Sequence, residues 1–146
     1  MIYTIGYDHL TPAQLAAVIR ALGIGRLLDV RSVPYSQRPG FAKAALAKTF
    51  GSVYQWAGDS LGGRPPGVTR AGLAALAASA ESGDQVLLCK EQSPGECHRY
   101  HTIALPLLHD YGLDCLHIFE DELIETSELE ASIAEDRPYL CETFAL

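Results

Sequence analysis

Ile2-Tyr3-Thr4-Ile5-Gly6, then Thr11-Pro12, then Arg26-Leu27-Leu28-Asp29-Val30 is the run of segments whose reading decides the fold. The first is a short apolar strand that stops at Gly6. Thr11 followed by Pro12 is a helix start, an N-cap with proline at the first helical position. Leu15, Val18, Ile19 and Leu22 give that helix one apolar face, and Gly23 stops it. Residues 26–30 form a second buried strand. Two strands about 25 residues apart with a helix between them pair in parallel through a right-handed crossover.

Working outward, residues 31–40 are rich in Pro, Ser and Arg and read as a loop. Residues 41–50 read as a short Ala-rich helix, 53–56 as a short strand and 61–67 as a loop. Thr69 caps a helix running to Ser82, with Leu73 and Leu76 inward. Residues 85–89 are the next buried strand and 97–111 the next helix, which Pro106 should kink or shorten at its start. Residues 114–119 make the last strand, and the acidic 121–137 segment is read as helical or partly so. There is no repeat and no linker. The expectation is an α/β fold: a single three-layer domain spanning 1–146, a mainly parallel sheet with helices on both faces.

A chain of 146 residues buries enough surface to fold without disulfides. Its first residues carry no basic segment and no long apolar run, which predicts neither signal peptide nor membrane span and a cytoplasmic location. In that setting its four cysteines are buried, metal-bound or reactive rather than paired. The net charge of −7 argues against an extended nucleic-acid duplex as partner. A local basic pocket remains open, since eight arginines stand against three lysines and Arg suits bidentate anion contacts. A homodimer is the default among soluble oligomers.

Chemistry is densest over Leu87-Leu88-Cys89-Lys90-Glu91-Gln92-Ser93-Pro94-Gly95-Glu96-Cys97-His98-Arg99. Cys89 ends a strand and Cys97 opens a helix, where unpaired backbone N–H groups and the helix dipole favour a thiolate. Cys97 is read either as a nucleophilic or redox thiol or as a small buried core residue. Cys89 would be its second thiol and His98 a proton carrier. The seven residues between the cysteines fit neither a redox C-x-x-C nor a zinc finger. If the fold joins the two sulfurs, His98, His101 or Glu91 could complete a metal site; the sequence assigns no metal and no cofactor. His98 and His101, three apart, share a helical face.

Asp29, Cys89 and Phe119 all fall at carboxyl ends of parallel strands, outside which open α/β sheets bind ligands. Asp29 either orients Arg31 or accepts loop N–H bonds, while Arg31 is a candidate anion ligand. Arg38, Arg64 and Arg99 come from other loops and the helix start, and their convergence would form a phosphate, sulfate or carboxylate site. Tyr54 and Trp56 are read first as core. Cys115 is read as core, and Cys141 is given no partner.

Taken together, Thr4-Ile5-Gly6-Tyr7, Leu28-Asp29-Val30-Arg31-Ser32-Val33-Pro34-Tyr35-Ser36 with Arg38 and Phe41, Leu61-Gly62-Gly63, Cys89-x-Glu91 and Cys97-His98-Arg99 resemble the family catalogued as domain of unknown function 488. The resemblance implies a compact α/β domain and brings no established reaction. It nominates Asp29, Arg31, Ser36, Cys89, Glu91, Cys97, His98 and Arg99 as site residues. The functional expectation is a small thiol-dependent enzyme whose anionic substrate is held by Arg31, Arg38 and Arg99, with Asp29, Ser36 and Glu91 beside it. The alternative is a nucleotide or nucleic-acid binding module with structural or metal-binding cysteines, and the third is an interaction subunit without chemistry.

Overall fold

The computed structural model describes residues 1–135. Cys141 and the end of the 121–137 segment lie outside the described residues. Strands β1 (Ile2–Gly6), β2 (Arg26–Asp29), β3 (Tyr54–Trp56), β4 (Gln85–Cys89), β5 (Leu116–Phe119) and β6 (Glu122–Glu125) form one sheet in the order β3-β2-β4-β1-β5-β6. All neighbours pair in parallel except β5 and β6. The chain is the expected α/β fold, with helices α1 (Pro12–Leu22), α2 (Lys43–Phe50), the single turn α3 (Gly58–Leu61), α4 (Arg70–Ser79), α5 (Leu105–Tyr111) and α6 (Thr126–Ala134).

Strand order and handedness together dictate which face each helix covers. From β1 to β2 and from β2 to β3 the chain moves toward the β3 edge, so right-handed crossovers place α1 and α2 on one face. From β3 to β4 and from β4 to β5 it moves the other way, which sends α4 and α5 to the opposite face. The two apolar cores agree. Leu15, Ile19 and Leu46 pack with Ile5, Leu27, Val86 and Leu88 on one side. Leu76, Ile103 and Leu107 pack with Ile2, Leu28 and Leu87 on the other. Alternation along β4 therefore points Cys89 toward the α5 face. The adjacent strands β4 and β1 are left by chains departing to opposite faces, so the crevice of the fold opens between their carboxyl ends.

Local chemistry explains most element boundaries. Thr11 Oγ1 accepts from the Gln14 N–H while the Gln14 side chain accepts from the Thr11 N–H, a reciprocal cap that starts α1. Thr69 Oγ1 caps α4 in the same way through Gly72 N–H at 2.9 Å. The helix expected over 97–111 begins instead as a widened turn over Arg99–Ala104, in which the Leu105 N–H reaches back five residues to the Tyr100 carbonyl. Pro106, which has no N–H to donate, then sits in the first turn of α5.

The acidic segment from residue 121 is partly helical, as expected, but it opens with a further strand, so residues 114–119 do not make the last one. Glu120 takes φ 54° and, with Asp121, turns the chain back so that Phe119 faces Glu122 across an antiparallel hairpin. Ile124 is its buried residue, and α6 starts only at Thr126.

One buried polar chain crosses this core. Arg99 Nε–H donates to Thr4 Oγ1 at 3.2 Å, and the Thr4 hydroxyl contacts His117 Nδ1 at 2.7 Å. His117 Nε2 meets Thr126 Oγ1 at 2.9 Å, and Thr126 Oγ1–H ends on the Cys115 carbonyl at 3.3 Å. Since the carbonyl only accepts, the hydrogens run one way and His117 is the neutral tautomer with Nε2–H. Burial, reinforced by the Arg99 charge, holds His117 down to about 3. A folded-state value below the unfolded 6.5 means that the unfolded chain binds the extra proton. The contribution of His117 is thus intact above pH 6.5 and is lost as pH falls toward 3. Linkage gives a loss on the order of 2 kcal/mol between pH 7 and pH 5. Urea unfolding at the two pH values should show this slope in the wild type and a flatter one in His117→Gln. An equal slope in both would remove His117 as its source.

Candidate functional site

The carboxyl ends of β1, β2 and β4 border a cleft of about 400 Å³. The β1–β4 pairing runs on past the sheet, with Tyr7 N–H donating to the Cys89 carbonyl and Asp8 N–H to the Lys90 carbonyl, both at 3.0 Å. This extension fixes Tyr7, Lys90 and Glu91 along one wall. Arg31, Ser32, Tyr35, Arg64 and His98 add further polar lining.

On the β2 side stands a buried ion pair. Arg31 donates from Nε to Asp29 Oδ1 at 2.8 Å and from Nη2 to Asp29 Oδ2 at 2.7 Å. Tyr54 donates to Asp29 Oδ2 at 2.5 Å, Trp56 Nε1–H donates to the Arg31 carbonyl at 2.8 Å, and the Tyr7 hydroxyl accepts from Arg31 Nη1 at 3.4 Å. Burial works to lower the Arg31 guanidinium's pKa, but Asp29 and Tyr7 outweigh it and hold it above its usual value. Burial and the bond to Asp29 raise Tyr54. With Nε and one Nη2 hydrogen on Asp29 and one Nη1 hydrogen on Tyr7, Arg31 has one hydrogen on each terminal nitrogen left for a ligand. Tyr54 and Trp56, read from sequence as core, are half-buried clamps on this pair.

On the β4 side the fold joins the two thiols across the seven-residue loop. The Cys89 and Cys97 sulfurs lie 3.7 and 3.8 Å from His98 Nδ1, and the three donor atoms all fall within 4.8 Å of one another. Both cysteines are buried and unpaired. Cys97 closes the turn Pro94–Glu96 and directly precedes His98, the cap of the widened turn, with its carbonyl accepting from Tyr100 N–H at 3.1 Å. A hydrogen bond from Cys89 lowers the Cys97 thiol against the effect of burial, and His98, the Arg99 charge and the Arg99 backbone N–H act in the same direction. The same bond to Cys97, then burial, raises Cys89. The two thiols, each the main cause of the other's shift, therefore titrate as a pair and not separately.

His98 is oriented from behind. Its Nε2 lies 3.1 Å from the Val30 carbonyl and 2.9 Å from the Leu61 carbonyl, so Nε2 carries a hydrogen and Nδ1 faces the sulfurs. Burial works against protonating the ring, but the Cys97 thiolate and these carbonyls raise His98 overall. A Cβ on Gly63 would stand 2.9 Å from His98 Cγ, so the second glycine of Leu61-Gly62-Gly63 is what lets the loop lie against the ring.

The remaining nominated residues divide. Glu91 lines the cleft and places Oε2 3.5 Å from Cys89 Sγ. Ser36 and Arg38 line a neighbouring hollow of about 370 Å³. There the Ser36 hydroxyl accepts from the Arg38 N–H, and Arg38 donates to the Leu10 carbonyl and stacks over Phe41. Arg99, assigned from sequence to an anionic substrate, is fully buried and donates to Thr4, the Glu91 carbonyl at 2.6 Å and the Gln92 carbonyl at 3.0 Å. It braces the loop that carries Glu91 and does not border the cleft. The two thiols also differ in access, for Cys89 borders the cleft and Cys97 lies behind it. His101 is exposed and meets the Gly95 carbonyl. Tyr7 and Lys90 escaped the sequence reading, although each directly follows a strand end.

No curated protein and no solved structure matches the chain. No helix among the described residues is long and apolar enough to cross a membrane. The model of one family, whose description is Domain of unknown function DUF488, matches residues 11–70. That segment holds Asp29, Arg31, Ser36, Arg38 and Gly62-Gly63 and ends before Cys89. Over residues 11–70 the chain is similar to the DUF488 family.

Proposed function

We propose that the protein is a cysteine-dependent enzyme acting on a small phosphate- or carboxylate-bearing substrate in the cleft between β1 and β4. The observation that carries this reading is the juxtaposition of the Cys89–Cys97–His98 cluster with a wall bearing Arg31, Arg64 and Lys90. Arg31 is fixed by Asp29 before any ligand arrives, so binding an anion orders little further. Arg64 and Lys90 are exposed at the rim and add charge that draws an anion in. Glu91 is the one acid on this wall and serves as a proton acceptor beside the sulfurs. A nucleotide is the favoured member of the substrate class, because Tyr35 lines the same cleft with 67 % of its surface exposed and offers a face for a base.

The test uses reduced, metal-free protein. Iodoacetamide should label Cys89, the one of the paired sulfurs that borders the cleft, before Cys97 and Cys115, which do not border it, and inorganic phosphate should slow that labelling several-fold. Arg64→Ala combined with Lys90→Ala changes only exposed side chains and should abolish most of the protection. Labelling indifferent to phosphate, or spread evenly over Cys89, Cys97 and Cys115, would sink the proposal.

A further inference from the structure

We infer that Cys89, Cys97 and His98 hold a zinc ion whose fourth coordination position opens into the cleft. The inference deepens the reading above and rests on it for the site's role.

The spacing fits the ion. Tetrahedral zinc bonded at about 2.3 Å to sulfur and about 2.0–2.1 Å to nitrogen holds those two donors about 3.6 Å apart. The separations here are 3.7 and 3.8 Å. Two thiolates and an imidazole are soft and borderline donors that select zinc over magnesium or calcium. The ring is already oriented as a ligand should be: Nε2–H is tied to the Val30 and Leu61 carbonyls, leaving the Nδ1 lone pair aimed between the sulfurs.

Three ligands rather than four mark a reactive rather than a closed structural site. Cys89 and His98 border the cleft, so an ion between their donor atoms is reached from it. Glu91 stands outside the three-residue cluster, with Oε2 close to Cys89 alone. From there it can accept a proton from a water at the open position. The resulting hydroxide adds to the electrophilic carbon or phosphorus of the substrate, the bond to the leaving group breaks, and Glu91 passes the proton to that group. One water is consumed and no oxidant is required, so the reaction class is metal-assisted hydrolysis.

Reduced protein stripped by chelator and reloaded with zinc alone should retain one ion per chain after dialysis. Cobalt in its place should give thiolate-to-metal charge-transfer absorption and the intense visible bands of a tetrahedral ion, and inorganic phosphate should shift those visible bands. Cys89→Ser, Cys97→Ser and His98→Gln should each weaken binding by more than the roughly 10- to 100-fold that outer-shell changes cost. Should Cys97→Ser fail to fold, the half-exposed His98 carries the same test. Glu91→Gln should bind zinc within a few-fold of wild type. Substoichiometric zinc without a cobalt spectrum would overturn the inference, and the cysteine-dependent reading would survive only if phosphate still protected Cys89. A cobalt spectrum that phosphate leaves unmoved and that Glu91→Gln abolishes would place Glu91 in the fourth position and overturn the open site.

Discussion

Asp29→Ala should cost about 3–5 kcal/mol of stability, the range for removing one partner of a buried ion pair. Arg31 is 6 % exposed and Asp29 fully buried, so most of the guanidinium would be left desolvated without its carboxylate. The carboxylate also accepts from Tyr54 and from the Arg31 backbone N–H at 3.2 Å, and both would lose their acceptor. Tyr54→Phe removes only one hydrogen bond to a charged group and should cost no more than about 1.5–3 kcal/mol. The uncompensated Arg31 in Asp29→Ala borders a cleft open to solutes. Inorganic phosphate should therefore raise the melting temperature of this variant more than that of the wild type. Urea unfolding with and without phosphate reads both quantities. A loss below 1 kcal/mol would mean that the pair is solvated. An equal phosphate effect would mean that the anion does not reach Arg31.

What the sequence made legible were features governed by chain-local rules. The β-α-β run from Ile2 to Val30 makes β1 and β2 parallel and fixes the handedness, and Asp29 falls at a strand end as read, but the two strands do not pair with each other because β4 is inserted between them. The hairpin at Glu120–Asp121 was hidden because its turn carries no glycine or asparagine, and the glutamates around it favour a helix by composition. The brace made by Arg99 was hidden for another reason. Its position beside Cys97 and His98 suggests a shared ligand, yet its side chain turns away to β1 and to the loop after β4. The polar chain through Thr4, His117 and Thr126 joins residues as much as 113 positions apart, and no local pattern announces it. The one available signal was a threonine and a histidine at buried positions of apolar strands. The contact between Cys89 and Cys97 was intermediate. Both were placed at the same end of the sheet, but closing a seven-residue loop so that the sulfurs meet depends on the 3₁₀ turn Pro94–Glu96.

Arg99→Leu should be the most damaging single substitution around the cleft, with a loss on the order of 4 kcal/mol or more. Three hydrogen bonds from a charged donor disappear together, each worth about 1.5–3 kcal/mol, and the Glu91 and Gln92 carbonyls are left without that donor. Nothing nearby can close over them. The end of β1 already lies so near the loop that a Cβ on Gly6 would fall 1.7 Å from the Glu91 carbonyl oxygen. The loop would therefore move outward and carry Glu91 away from Cys89. Arg99 has no carboxylate within ion-pair distance among the described residues, and its charge is one of the influences that lower the Cys97 thiol. The variant should consequently titrate that thiol at higher pH as well as unfold earlier. Arg99→Lys keeps the charge but reaches fewer of the three acceptors, so it should recover much of the thiol effect and only part of the stability. Amide exchange over residues 90–98 should accelerate in both, more in Arg99→Leu. If Arg99→Leu stays within 1 kcal/mol of wild type with exchange unchanged, the loop is held by its own turn and by the contact with Gly6, and Arg99 is not its brace.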